Sequence, residues 1–147
     1  MKELTGFATA PGTGVVAIDG SLKASRDSTD GALSVFEISV EGGPPLHIHD
    51  HEHESFYVLE GELSVICGED QFEVRTGSFV FMPRGRAHRF WSTHGSARVL
   101  LIAVPGGIED YFRELHSADE TERRRPRRDT GFMQWTNRNE AGCRPAR

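Results

Sequence analysis

Between residues 13 and 105 the chain alternates apolar and polar positions in short runs broken by Gly, Pro, Asp and Asn. The clearest run is Ala32 to Glu41: Phe36, Ile38 and Val40 fall on one face, and Glu37, Ser39 and Glu41 on the other. A period of two predicts a half-buried strand. Further strands are expected at 13–19, 21–27, 53–60, 62–67, 70–75, 78–82, 87–93 and 96–104. Turns are expected at Glu60–Gly61, Gly68–Glu69–Asp70, Thr76–Gly77 and Gly85. Many short strands with no helix between them predict an all-β sandwich or closed barrel. After Pro105-Gly106-Gly107 the period changes. Ile108, Tyr111, Phe112 and Leu115 have i, i+3, i+4, i+7 spacing and predict one amphipathic helix that can lie on the barrel. These patterns divide the chain into an N-terminal arm with the first strands (1–30), a barrel with its helix (31–118) and an Arg-rich, flexible tail (119–147). Phe132, Met133 and Trp135 stand out in that tail as residues that can dock on the body or on a neighbouring subunit, although no period accompanies them.

Composition sharpens this picture mainly by exclusion. The 147 residues suit one compact core. No apolar run approaches the roughly twenty residues of a membrane span. The first residues, MKELTGFATAPGTG, contain no apolar leader, so the expectation is a cytoplasmic protein. Two cysteines, Cys67 and Cys143, do not make a disulfide scaffold, and Cys67 is expected to be a small core residue. The net charge of −5 is uneven: residues 1–118 hold 9 basic and 17 acidic groups, and residues 119–147 hold 8 and 5. An acidic body gives no reason to expect nucleic acid as a partner, and the run Arg123 to Arg128 reads as a solvated tail.

The chemistry is concentrated in histidine. Four of the seven, His47, His49, His51 and His53, lie within seven residues. His47 and His49 are two apart, so on a strand both leave the same face. Glu54 opens the next apolar run, and His88 follows Met82-Pro83-Arg84-Gly85 at the head of another strand. In a narrow barrel these four can converge as three imidazoles and a carboxylate. A solvated His-rich loop is the alternative. His51 falls in the turn, His53 has the opposite parity to Glu54, and His94 and His116 read as surface residues.

The stretch His47, His49, Glu54, Gly61 (H-x-H-x4-E-x6-G) and the stretch Gly77, Pro83, Gly85, His88 (G-x5-P-x-G-x2-H) resemble the two motifs of the cupin superfamily. The likeness covers about residues 31–105. The glycine expected six places before His47 is Glu41, with Gly42 and Gly43 following, and Ser92 stands where an Asn often closes the second motif. The resemblance implies a double-stranded β-helix, or jelly-roll barrel, with His47, His49, Glu54 and His88 as ligands of one divalent transition metal (Fe, Mn, Ni, Co or Zn). Such a set leaves positions open for water or substrate, and the absence of thiolates argues against a closed structural zinc site.

Parity places Phe36, Ile38, Phe56, Val58, Phe72, Val74 and Phe90 inside, where the substrate pocket is expected from Phe36, Ile38, Phe56, Val58, Phe72 and Phe90. An apolar wall of this kind suits a small aromatic or polyketide-like substrate. Arg84, Arg86 and Arg89 flank the second motif as candidate anion contacts, with simple solvation as the plainer reading. The segment PGGIEDYFREL is similar to the tail of quercetinase-like cupins. The leading expectation is therefore a dioxygenase with Glu54 as ligand and catalytic base. A polyketide cyclase and a non-catalytic ligand- or metal-binding cupin are the alternatives. Open strand edges and the polar arm 1–30 further lead us to expect a homodimer in which the arm packs on a partner.

Overall fold

A computed structural model describes residues 3–17, 20–117 and 132–134, with the side chains of 15–20, 113–117 and 132–134 left aside. The elements run β1 (Val15–Ala17), β2 (Gly20–Ala24), β3 (Ser34–Val40), β4 (His47–His49), β5 (His53–Glu60), β6 (Glu62–Cys67), β7 (Asp70–Arg75), β8 (Phe79–Met82), β9 (His88–Ser92), β10 (Ala97–Val104), α1 (Ile108–Ser117) and β11 (Phe132–Gln134). They form two sheets, β1-β2-β3-β10-β5-β8 and β11-β4-β9-β6-β7, whose pairings are all antiparallel.

The alternation expected for 32–41 is realised: Ser34, Phe36 and Val40 are buried and Ile38 is partly so, while Glu37 and Ser39 face outward. The inner faces of both sheets supply the core, with Phe36, Phe56, Leu63, Met82, Val65 and Val99 essentially without exposed surface. Each such side chain contributes roughly 1.5–3 kcal/mol by leaving water. The sequence order of the sheet partners explains how the two inner faces come to oppose each other. β5 belongs to the first sheet and β6 to the second, so the sharp turn at Gly61 carries the chain across. Gly61 has φ 88°, and a Cβ there would meet the Ala97 backbone at 2.9 Å, so no larger residue fits the turn.

α1 follows Pro105-Gly106-Gly107 as the periodicity predicts. Ile108 enters the core, and Phe112 meets Phe36 edge-on with ring centroids 5.3 Å apart. Tyr111 is half-buried beside it, and burial pushes its phenol up to about 12. In the C-terminal stretch, Phe132, Met133 and Gln134 pair with His49, Ile48 and His47 respectively. A segment without any visible period thus adds a strand to the outer edge of β4. Trp135 and the Arg-rich run lie outside the described residues.

Two strands end the sheets on one side. β7 is polar apart from Phe72 and Val74, whereas β8 shows Phe79 and Phe81 to solvent beside Tyr57 of β5. Among the described residues no helix is long and apolar enough to cross a membrane.

Candidate metal centre

The site lies between the sheets. β4 and β9 of the second sheet carry His47, His49 and His88, with His47 directly opposite His88 in register. β5 of the first sheet carries Glu54, which faces them across the barrel. Two glycines draw the ligand strands together. The Gly85 N–H donates to the His49 carbonyl at 2.8 Å, tying the second motif to β4. Gly43, with φ 66°, approaches the Phe90 carbonyl so closely that a Cβ would lie 1.7 Å from its oxygen. The close approach expected of a glycine ahead of His47 therefore falls on Gly43 rather than on position 41.

One ligand atom from each of His47, His49, Glu54 and His88 lies within 4.8 Å of the others, and all four residues are buried. A single oxygen, Glu54 Oε2, is 2.9 Å from His49 Nε2, 2.8 Å from His88 Nε2 and 3.7 Å from His47 Nε2. The outer nitrogens define the chemistry. His47 Nδ1 donates to the Pro45 carbonyl at 2.7 Å, and His88 Nδ1 donates to the Arg86 carbonyl at 3.0 Å. A carbonyl oxygen only accepts, so both Nδ1 atoms carry a proton. The inner Nε2 atoms of both rings face Glu54 Oε2, within hydrogen-bonding distance in the case of His88.

Burial pushes the Glu54 carboxyl up, but contact with the imidazoles of His47, His49 and His88 outweighs it and holds the group well below the usual carboxylate range. A buried carboxylate among imidazoles in an apolar shell is stable only where positive charge, on a proton or a cation, faces it. Three imidazole nitrogens and one carboxylate oxygen are the donors that a divalent transition metal takes, and the residues present fit such an ion.

The other histidines separate cleanly. His51 is exposed in the turn between β4 and β5. The His53 ring faces away from the cluster, accepting the Arg84 N–H at 3.2 Å and lying 5.4 Å from the Phe81 ring. His94 is exposed beside Glu62, and the side chain of His116 lies outside the described ones. Cys67 is buried opposite His88, and burial holds its thiol above its ordinary value.

Phe36, Phe56, Val58 and Phe90 are fully buried and Ile38 partly so, with the Phe56 and Phe90 rings 5.1 Å apart. Phe72 departs from expectation. It shares a face with Val65, but β7 is the last strand of its sheet, so the ring is left 43% exposed and does not join the buried wall. Arg84, Arg86 and Arg89 are exposed, and Arg89 stacks over Trp91 at 5.1 Å.

One buried acidic group beside the cluster escaped the motif reading. Glu52 turns inward from the β4–β5 turn, with Oε2 3.8 Å from His49 Nδ1. Burial raises its carboxyl above the ordinary value, although His49 offsets part of the rise. The signal available in the sequence was only an acidic residue three places after a ligand.

Residues 34–105 match the cupin domain family. The chain is 30% identical to quercetin 2,3-dioxygenase of Bacillus subtilis over 96 residues, which cover 63% of this chain and 28% of that protein. It is 33% identical to a probable oxidoreductase, virH, of Hypocrea virens over 76 residues, covering 49% of this chain and 35% of that one. The matched stretch is thus a minor part of either relative. Among solved structures, the Cnp3 cupin domain of Schizosaccharomyces pombe superposes with a TM-score of 0.53 at 15% identity, over 69% of this chain and 73% of the other. At that identity the likeness shows the fold, a double-stranded β-helix.

Proposed function

We propose that this chain, a small protein of the cupin superfamily, is a metal-dependent oxidoreductase: a quercetinase-like dioxygenase acting on a small aromatic or polyketide-like molecule. The observation that carries the reading is the convergence of three histidine Nε2 atoms on one oxygen of Glu54 inside an apolar barrel. The similarity to quercetin 2,3-dioxygenase across the cupin region supports the choice of reaction class.

His47, His49, Glu54 and His88 would hold the metal, which would supply a Lewis acid with open positions for substrate and dioxygen. Around it the protein's own groups do the positioning. The Pro45 and Arg86 carbonyls fix two ring orientations, so His47 and His88 present Nε2 inward without rearrangement. The buried rings of Phe56 and Phe90 make the barrel interior apolar, which strengthens polar interactions there. Glu54, whose carboxylate lies at the centre of the cluster, would accept the proton of an enolic substrate hydroxyl and leave an electron-rich enolate carbon for reaction with dioxygen.

Dioxygen uptake by metal-loaded protein supplied with a flavonol is the test. Uptake that requires both metal and flavonol supports the dioxygenase. Ring closure of a poly-β-keto substrate without dioxygen would replace it by a cyclase, and stoichiometric binding without turnover by a non-catalytic binding protein.

A further inference from the structure

The edge strands β7 and β8 are built differently. β7 carries Asp70, Glu73 and Arg75, charges of the kind that keep a free edge from pairing with another chain. β8 carries none. From Gly77 to Pro83 the chain reads Gly-Ser-Phe-Val-Phe-Met-Pro, uncharged throughout, in a body whose acids outnumber its bases. Among the described residues no strand pairs with the far side of β8, and its register with β5 runs without a bulge.

The backbone of that edge is arranged for pairing. The Val58 N–H donates to the Ser78 carbonyl at 2.9 Å. Such bonds recur at every second residue of an antiparallel ladder, so Val80 and Met82 turn their N–H and C=O groups toward β5. Phe79 and Phe81 then turn theirs to the open edge. The rings of these two residues stand in solvent on the outer face, whereas Val80 and Met82 are buried. Register carries the outer face inward from the edge in two rows: Phe79, Tyr57 and Leu100, then Phe81, Ser55 and Ile102. The first row ends at Glu37 of β3, so the apolar surface lies toward the edge of the sheet.

We propose that β8 pairs antiparallel with β8 of a second copy about a twofold axis at Val80, joining the two first sheets into one. The uncharged stretch is centred on Val80, so reversing the strand sets Phe79 against the partner's Phe81 and Ser78 against the partner's Met82. Beyond that stretch Arg84 meets the partner's Thr76 and Arg75 the partner's Gly85, so no like charges oppose each other. The area supports the same occupant. Phe79, Phe81 and Tyr57 leave 61%, 53% and 44% of their surface in water. At roughly 150–250 Å² per aromatic side chain, two copies cover about 500–800 Å² of ring surface. Stable interfaces start at about 1,200 Å², and the paired backbone edges with Leu100 and Ile102 are left to supply the remainder.

Sedimentation velocity of the full chain at micromolar concentration is the test. Wild type should run at twice the 16.3 kDa chain mass. Phe79→Glu and Phe81→Lys each put a charge into the strand pair and should each run as monomers. Both sites are exposed, so circular dichroism should show an unchanged fold. Phe81→Ser, a milder change that still reads the interface if a charge variant does not fold, should weaken dimerisation about 10-fold or more. Mixing reads the register. In an equimolar mixture the introduced Glu of one variant lies opposite the introduced Lys of the other, with Phe against Phe beside them, so the dimer should return. A monomeric wild type, β8 variants that all stay dimeric, or a mixture that stays monomeric would overturn the proposal. Dissociation by Phe72→Glu on the β7 edge would overturn it too. So would dissociation by Leu4→Ser with Phe7→Ser, because the N-terminal arm, where both side chains are exposed, would then hold the copies together.

Discussion

Glu54 and Glu109 are both buried carboxylates, and both are held below the ordinary carboxylate range despite burial. One strand links their surroundings. Glu54 of β5 and Ser34 of β3 flank Ala103 of β10 in register, and Ser34 is the residue that Glu109 grips. What surrounds each carboxylate differs completely. Glu109 accepts the Ser34 hydroxyl and, at 2.6 Å, the Arg26 backbone N–H, while the Gly107 N–H donates to Ser34 Oγ at 2.9 Å. It also sits in the first turn of α1, where the helix dipole favours negative charge. Every group there is a donor, so the nest is complete as built and fastens α1 to the β2–β3 connection. Around Glu54 the neighbours are three imidazoles, two of them with the outer nitrogen engaged by a carbonyl, so that cluster is a donor set that could take a cation. Burial and a depressed pKa are common to both; the polarity of the neighbours separates an anchor from a reactive site.

The largest expected effect breaks the Glu54 side. In the dioxygenase reading, Glu54→Gln should keep most of the metal on three histidines while turnover falls roughly 10²–10⁴-fold, the range for a lost general base. Metal content and rate measured in one preparation check this; full activity in a metal-loaded variant would leave Glu54 a purely structural role. Next comes His88→Ala, which removes a ligand outright and should weaken metal binding by more than about 100-fold, beyond what loss of an outer partner costs. Elemental analysis after dialysis reads the outcome, and full occupancy would point to His51 or His53 as a replacement.

The Glu109 side should respond in stability alone. Glu109→Ala strips a charged acceptor from two donors and should cost roughly 1.5–3 kcal/mol in denaturant unfolding, with metal affinity unchanged. pH sharpens the point. The folded-state pKa of Glu109 is lowered, so its stabilisation is fully present above the ordinary carboxylate value of 4.5 and is lost as pH falls through the folded value. The gap in stability between wild type and Glu109→Gln should therefore be constant near neutrality and close below about pH 4; a gap that persists into acid would mean shape, not charge, holds the helix. Smallest of all is Arg26→Ala. The Arg26–Asp110 ion pair at 2.8 Å is exposed on both sides, and the Arg26 contact that serves Glu109 is its backbone N–H. Thermal unfolding should shift by no more than about 0.5 kcal/mol, the usual worth of such a pair.

How much of this was legible follows from how far each signal reaches along the chain. Strand alternation needs only neighbours two apart, so 32–41, the later strands and the helix at 108 could be read directly, as could the spacing that puts His47 and His49 on one face. The strand reading made His88 a candidate beside His47, His49 and Glu54, and likeness to a family added the expectation that the four are ligands of one metal. Phe72 was misplaced because parity gives the face of a strand but not whether the sheet continues beyond it.

The sequence by itself determined the all-β class, the helix that follows Gly107 and the candidate donor set, because these depend on local period and on residue type. Only the tertiary structure decided the rest. It brought Glu109 to Ser34 across 75 positions and to the Arg26 N–H across 83. It seated the unpatterned Phe132–Gln134 on the edge of β4, turned Glu52 inward while its turn neighbours face water, and turned the Nε2 atoms of His47 and His88 toward Glu54 through the Pro45 and Arg86 carbonyls. Side-chain period is a property of one strand; the partner across a sheet, the edge where a sheet stops and the acceptor behind a ring are set by chain closure, which no local pattern encodes.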